Sequence, residues 1–328
     1  MTIGNTNYAT LATTTLQHFS NDIFDAVVTN NAALNELKKK GNIKVVSGGR
    51  VFNHPIYHTK STNFDAIAKT GTVPTTLQDN FTRAEFDVRV IAGSVVYNLV
   101  EDAMNAGNKE KLIDYIEAMK MDAEVSMGEV MGDQVMQAEA SVVRTSDFDS
   151  IPLLISDDPS AAIIDPGGIE ADSAGNSWWR NYTYATTISS FTGDNAGLTG
   201  LDTALNGATF GRQGPTFCIT TKAVWTYYML ALQSQVRYSQ LESGDGAFKR
   251  LMYATLPVMA DDNCPDDHFY MIDGNALKLQ VLAQGNMKMT AFLDSYTTLA
   301  ARALLYFLGN ITCGSRRTCA VATSITGA

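Results

Sequence analysis

Few residues in this 328-residue chain could do chemistry, and their spacing argues against most of it. His54 and His58, in HPIYH, form the pair that invites a metal ion. On a strand, positions four apart share a face but stand about 13 Å apart, at roughly 3.3 Å per residue. Pro55 disfavours the helix that would bring both imidazoles to one ion. The blander reading is a pair of arm residues contacting a neighbour. The run DDNCPDDH, 261–268, offers four carboxylates but lacks the glycine and the distal Glu of a calcium loop. It reads as a solvated turn. Cys218, Cys264, Cys313 and Cys319 are scattered without a CxxC pair, as reduced thiols rather than a disulfide framework or zinc site. No Walker loop, dinucleotide fingerprint, GxSxG elbow or HExxH occurs. No catalytic residue, cofactor or metal is expected, and the chain is not read as an enzyme.

Two other clusters are chemical in a weaker sense. NSWWRNYT, 176–183, sets Trp178, Trp179 and Arg180 side by side after the glycine-rich run DPGGIEADSAG. Two large rings can pin a chain by buried apolar area, and Arg180 offers a planar donor to a carboxylate or a group of carbonyls. Packing inside the subunit and anchoring at an interface both remain open; one ring in and one ring near a neighbour is the expectation. Arg316 and Arg317, in GSRRT, read either as a surface turn or as part of an ion pair between subunits.

The totals narrow the classes further. A composition 45% hydrophobic and 18% charged is globular rather than disordered. A net charge of −10 argues against a dedicated nucleic-acid binder, although an acidic protein can stand beside DNA without gripping it. The first basic residue is Lys38, so the start of a signal peptide is not expected. The apolar run TLAARALLYFL, 298–308, is far shorter than the roughly 20 residues that span a bilayer. A soluble, non-secreted product follows, in which the sequons at Asn80, Asn181 and Asn310 are chance matches.

The elements that position these residues are of mixed α+β type. Residues through Thr10 are polar and expected to be mobile. A helix is predicted over 21–40, with Thr29-Asn30-Asn31 as a candidate break and its end marked by LKKK and then Gly41 as a left-handed stop. From 42 to 97 the text is strand-like, with two extended arms and a polar tip, TKSTNFDAIAKTGTVPTTLQDNFTR. This hairpin has few residues with which to build a core of its own, so something outside it should hold it. A long helix follows over 108–140, with Asn108 as its N-cap. Its stripe is Leu112, Ile116, Met119, Ala123, Met127 and Val130. Gly128 and Gly132 weaken the helix and would let a neighbouring chain approach. LTGLDTALNGA and KAVWTYYMLALQS read as helices and PTFCITT as a buried strand. The stretches 236–273 and 277–313 read as short strands and turns.

The order of these parts resembles a family. A helix ending KKKG, SGGR opening a long hairpin, a long helix, GGI…NSWWRN, a VRY, and GNITCGSRR together are similar to tailed-bacteriophage major capsid proteins of the Hong Kong ninety-seven type. The same fold serves encapsulin shells. The resemblance spans about 41–323 and rests on order and spacing, not on any single motif. It implies an N-terminal arm over 1–41 and an extended loop over 42–97 lying across an adjacent subunit. It also implies a peripheral domain over 98–196 with a spine helix at 108–140, an α/β axial domain over 197–275, and returning strands over 276–328. It implies a structural protein that assembles into pentamers and hexamers of an icosahedral shell in the virion, built in the host cytoplasm. Double-stranded DNA would be packaged without sequence specificity. Scaffold, portal and decoration proteins are further partners, and no membrane is involved. The residues expected at contacts between copies are Gly48, Gly49, Arg50, His54, His58, Trp178, Trp179, Arg180, Arg316 and Arg317. Other readings are an encapsulin-like compartment, a tail or adhesion component, and a metal-dependent hydrolase built on His54, His58 and the Asp261 cluster.

Overall fold

A computed structural model describes residues 31–98, 109–143, 145–160, 165–191, 196–233, 251–294 and 300–327, with side chains from 109–118 and at 97 and 120 left aside. The expected mobile start, the first part of the 21–40 helix, Asn108 and the VRY segment lie outside the described residues.

The first helix, α1 (Ala32–Lys39), begins where Asn31 accepts a hydrogen bond from the Leu34 amide at 3.0 Å. Asparagine is a strong N-cap because it satisfies a donor that the helix leaves unpaired. Lys38 and Lys39 occupy the last turn and Gly41 turns left-handed at φ 69°.

The first sheet is organised on one long strand. β1 (Ile43–Val46) lies parallel to β10 (Leu277–Leu282), which pairs antiparallel with β13 (Ala300–Cys313). The same side of β13 also takes β11 (Lys288–Met289) and β12 (Leu293–Asp294). Its other side takes β4 (Arg89–Asn98), from Ala300↔Asn98 to Gly309↔Arg89. Alternation along β13 buries Ala301, Ala303, Leu305 and Phe307 and turns Arg302 and Leu304 outward. From Ala300 onward, the run whose apolar character and short length made it conspicuous is therefore the central strand of a sheet.

The second sheet is a partition between two cores. β5 (Tyr182–Tyr184), β14 (Ala320–Ala322), β9 (Phe269–Ile272), β6 (Phe217–Thr220), β8 (Leu256–Ala260) and β7 (Leu251–Tyr253) lie in that order. Phe217, Ile219, Tyr270, Ile272 and Val321 face one core; Cys218, Phe269, Met271, Ala320 and Ala322 face the other. A strand buried on both faces reads as a continuous apolar run, which is why FCIT carries no alternation. Helices α4 (Ala196–Ala208) and α5 (Lys222–Gln233) close the second core. The first core joins α1, the four-residue helix α3 (Ile151–Leu154) and the base of the hairpin.

The long helix α2 runs Lys109–Met136. Leu112 and Ile116 fall outside the described side chains. Beyond them the inward line is half-buried Ala123 and then buried Met127, Met131 and Val135, stepping by four, and Val130 of the expected stripe is exposed. Steps of four drift around a 3.6-residue helix, so this seam winds as it crosses the sheet. Gly132 does admit a close approach, but of its own chain: a Cβ there would meet Asn263 Nδ2 at 2.7 Å and Asn31 Nδ2 at 3.3 Å.

All four cysteines are free and buried. Burial raises every thiol, Cys313 to about 12. Asn181 and Asn310 are buried hydrogen-bonding nodes, enclosed rather than presented. No helix among the described residues is long and apolar enough to cross a membrane.

Candidate assembly surfaces

The hairpin divides into a seated base and an open tip. β2 (Val51–Tyr57) and β3 (Phe81–Asp87) pair antiparallel, with Phe52 opposite Phe86 and His54 opposite Ala84. Period-two alternation sends Phe52, Ile56, Ala84 and Phe86 into the first core. The expectation that this ribbon lacks cover on its own subunit is corrected for the base: these apolar side chains suffice to seat it. From 58 to 80 there is no regular secondary structure, and nearly every residue is open. Phe64 is 88% exposed and Leu77 99%, with Ile67, Val73, Tyr57 and Phe81 also outward. Within the tip the Thr62 amide donates to Gln78 Oε1 and Asn63 Nδ2 donates to the Thr76 carbonyl.

The tryptophan stretch holds the base. Pro166, Gly167 and Gly168 form a turn against β3, with both glycines at φ 70°. A Cβ on Gly167 would lie 2.7 Å from Ala84 Cβ, so the turn sits flush on the strand. Trp179 is 1% exposed and donates Nε1–H to the Pro166 carbonyl at 3.0 Å. Trp178 is half-buried and stacks on His58 at the mouth of the hairpin, ring centroids 5.0 Å apart. Arg180 donates Nε–H to the Ala171 carbonyl at 2.6 Å and Nη2–H to that of Asp172 at 2.9 Å. The glycine-rich run is thus a knotted seat rather than a flexible connector.

Three of the expected contact residues are enclosed by their own chain. Trp179 is one. His54 sits on the first sheet, its Nε2 at 2.6 Å from Gln280 Nε2 and 2.9 Å from Thr312 Oγ1. Burial, then Lys278 and Lys44, lower its pKa to about 4 and keep the ring neutral. Arg316 is 1% exposed, and neither of its expected settings applies. It donates Nε–H to the Leu154 carbonyl at 2.7 Å and Nη2–H to Asn181 Oδ1 at 3.2 Å, joining α3, the connector and the last turn. These side chains hold the subunit together and present nothing outward. Gly48, Gly49 and Arg50 are open, as is Arg317, whose guanidinium lies 4.6 Å over the Phe210 ring. His58, Trp178 and Arg180 are half-buried.

Sequence reasoning missed a second apolar surface. On the outer face of the first sheet, Val90 and Val96 of β4 stand beside Leu308 and Arg302 of β13, with Leu304 and Leu293 nearby. Val90, Val96, Leu293 and Leu304 are all exposed. The alternation in RVIAGSVVYN carried the signal, but the face it exposes depends on which side α2 covers.

His54 and His58 are engaged with different partners, and among the described residues no three His, Cys, Asp or Glu are grouped to hold a metal ion. Asp262 pairs with Lys222, and Asp261 accepts from the Asn263 amide, so this acidic run is a self-capped turn.

No family model and no curated protein matches the sequence. Solved structures do. A chain from the capsid asymmetric unit of cyanophage A-1(L) superposes with TM-score 0.62 at 13% identity, covering 87% of this chain and 91% of that one. A chain from the procapsid of satellite phage P4 gives 0.55 at 11%, covering 95% and 91%. A chain of the holo-SrpI encapsulin complex of Synechococcus elongatus PCC 7942 gives 0.53 at 9%, covering 88% and 88%. Identities this low speak for backbone architecture alone. The chain has the α+β fold of the Hong Kong ninety-seven type, seen in phage capsids and an encapsulin shell.

Proposed function

We propose that this chain is the major capsid protein of a tailed phage, a structural protein that self-assembles into an icosahedral shell around double-stranded DNA. The carrying observation is the exposed apolar tip of the hairpin, held out from a firmly seated base. Among the described residues Phe64, Ile67, Val73 and Leu77 all stand exposed, and several large apolar side chains left open on one short segment mark an interaction site. The outer face of the first sheet, around Val90, Val96 and Leu304, supplies the complementary surface on a sister copy. A contact between two different patches of one chain is heterologous, and rotation that closes it generates rings such as pentamers and hexamers. In this reading 42–97 is the extended loop, 98–196 the peripheral domain, 197–275 the axial domain and 276–328 the returning strands. Gly48, Gly49, Arg50, His58, Trp178, Arg180 and Arg317 line the contacts, and the enclosed side chains support them from within. The net charge of −10 lets the wall stand beside packaged DNA without gripping it. Scaffold, portal and decoration proteins would bind the assembled lattice, in the virion and during assembly in the host cytoplasm.

The likeness to an encapsulin supports a second reading, a cellular compartment loaded with protein cargo. Electron microscopy of the purified protein tests both: closed particles tens of nanometres across are expected, with protein cargo marking the second reading. In dissociated subunits trypsin is expected to cut after the exposed Lys60 and Lys69, and in particles both sites are protected. A folded chain that stays monomeric under all assembly conditions, with its tip equally open throughout, overturns the proposal.

A further inference from the structure

His268 lies just before β9, and its two ring nitrogens face two different oxygens. Nε2 is 2.8 Å from Asp157 Oδ2, and Nδ1 contacts the main-chain carbonyl of Asp266. An ionised carboxylate and a carbonyl both accept and neither donates. A neutral imidazole carries one N–H, so it would satisfy one of these oxygens and turn a lone pair toward the other. Only the imidazolium donates to both. The ring also lies flat on buried Tyr270, centroids 5.7 Å apart and planes 13° apart, where an aromatic face favours a cation.

Among the described residues the charges acting on the ring are those of Asp157, from the loop after α3, and Asp267, from its own turn, beside the neutral Asp266 carbonyl. Behind it, Tyr270 looks toward Asp157, Cys264 and Glu139. Burial opposes the charge, and the hydrogen bonds to Asp157 and Asp266, with the fields of Asp157 and Asp267, outweigh it and raise the pKa above 6.5.

We propose that His268 is a doubly donating imidazolium that staples the 156–160 loop to the start of β9, and that this seam opens when the ring sheds a proton. At the start of the loop Ser156 bonds Asn181, Thr183 and Glu139 rather than β9, and Asp158 accepts from Ser160. A group whose pKa is higher folded than unfolded stabilises fully below the unfolded value, and that contribution fades as pH rises through the folded value. The staple therefore holds below the ordinary imidazole range and loosens as pH rises through the ring's raised value, whether or not the chain builds a shell.

Hydrogen–deuterium exchange of the full chain, corrected for the intrinsic pH dependence of exchange, reads this directly. Peptides covering 156–160 are expected to lose about tenfold protection between pH 6 and pH 9 as the ring gives up its proton. In His268→Gln the loss is absent, in Asp157→Asn it moves to lower pH, and in His58→Gln it is unchanged. Peptides from β9 and β13 stay protected in every variant, certifying the fold; if His268→Gln fails that check, Asp157→Asn carries the test. Protection independent of pH in the wild type, or a loss that survives either staple substitution unaltered, overturns the proposal.

Discussion

Gln280 donates to His54 Nε2, and a ring nitrogen that accepts cannot also hold a proton. His54 is thus the counterpart of His268, held neutral where the other is held charged. With its folded pKa about 4 against 6.5 unfolded, the unfolded chain binds the extra proton first. Its contribution is present above pH 6.5 and is lost as pH falls toward 4. We expect urea midpoints to fall across that window, with the fall reduced in His54→Gln; parallel curves would refute the assignment. The two arginines of GSRR make a second contrast. Arg316→Lys forfeits a fork of donors to Leu154 and Asn181, and should cost about 2 kcal/mol in denaturant unfolding. Arg317→Lys, exposed on Phe210, should cost under about 1 kcal/mol. Neighbouring residues of identical type give a sequence reader no means of ranking them. Only the turn into β14 decides which side chain enters the core.

At the level of elements, local chemistry was legible wherever it is self-contained. Gly41 ends α1 as the capping rule expects, and FCIT reads as a buried strand without reference to its neighbours, whereas the Asn31 cap falls inside the helix predicted over 21–40. What was not legible depends on partners remote in sequence. Helix α2 exposes Val130 and buries Met131, and Asn263 and Asn31 lie against its flank at Gly132. Met131→Ala should therefore cost about 2–5 kcal/mol, and Val130→Ala no more than about 0.5 kcal/mol, by thermal or chemical unfolding. The hairpin seat offers a similar pair. Gly167→Ala and Gly168→Ala share the left-handed backbone cost of roughly 1–2 kcal/mol. Only the first also drives a methyl into Ala84, for about 1–3 kcal/mol more. Equal losses for the two would mean the turn does not bear on β3. The tryptophans follow the same logic: one ring in was foreseeable from area alone, but its bond to Pro166 required the turn between them.

Across the whole molecule, the hairpin's base is covered by its own subunit, against the expectation that something outside would hold it, and its tip is exposed. Alternating apolar residues in β2 and β3 were visible in the text, yet their cover comes from sheet residues far along the chain. The consequence for assembly is specific. Phe64→Ser combined with Leu77→Ser removes apolar area that stands almost wholly exposed, so unfolding should move by no more than about 0.5 kcal/mol. Particle formation, followed by light scattering or sedimentation, should fail or slow sharply; undiminished assembly would place the contact elsewhere. The four enclosed thiols give an experimental handle on this step. A native subunit should be silent toward maleimides, because access and thiolate are both denied. One cysteine introduced at Thr70 would then be a background-free attachment point for a fluorophore. Its emission would report, copy by copy, when each ribbon finds its seat.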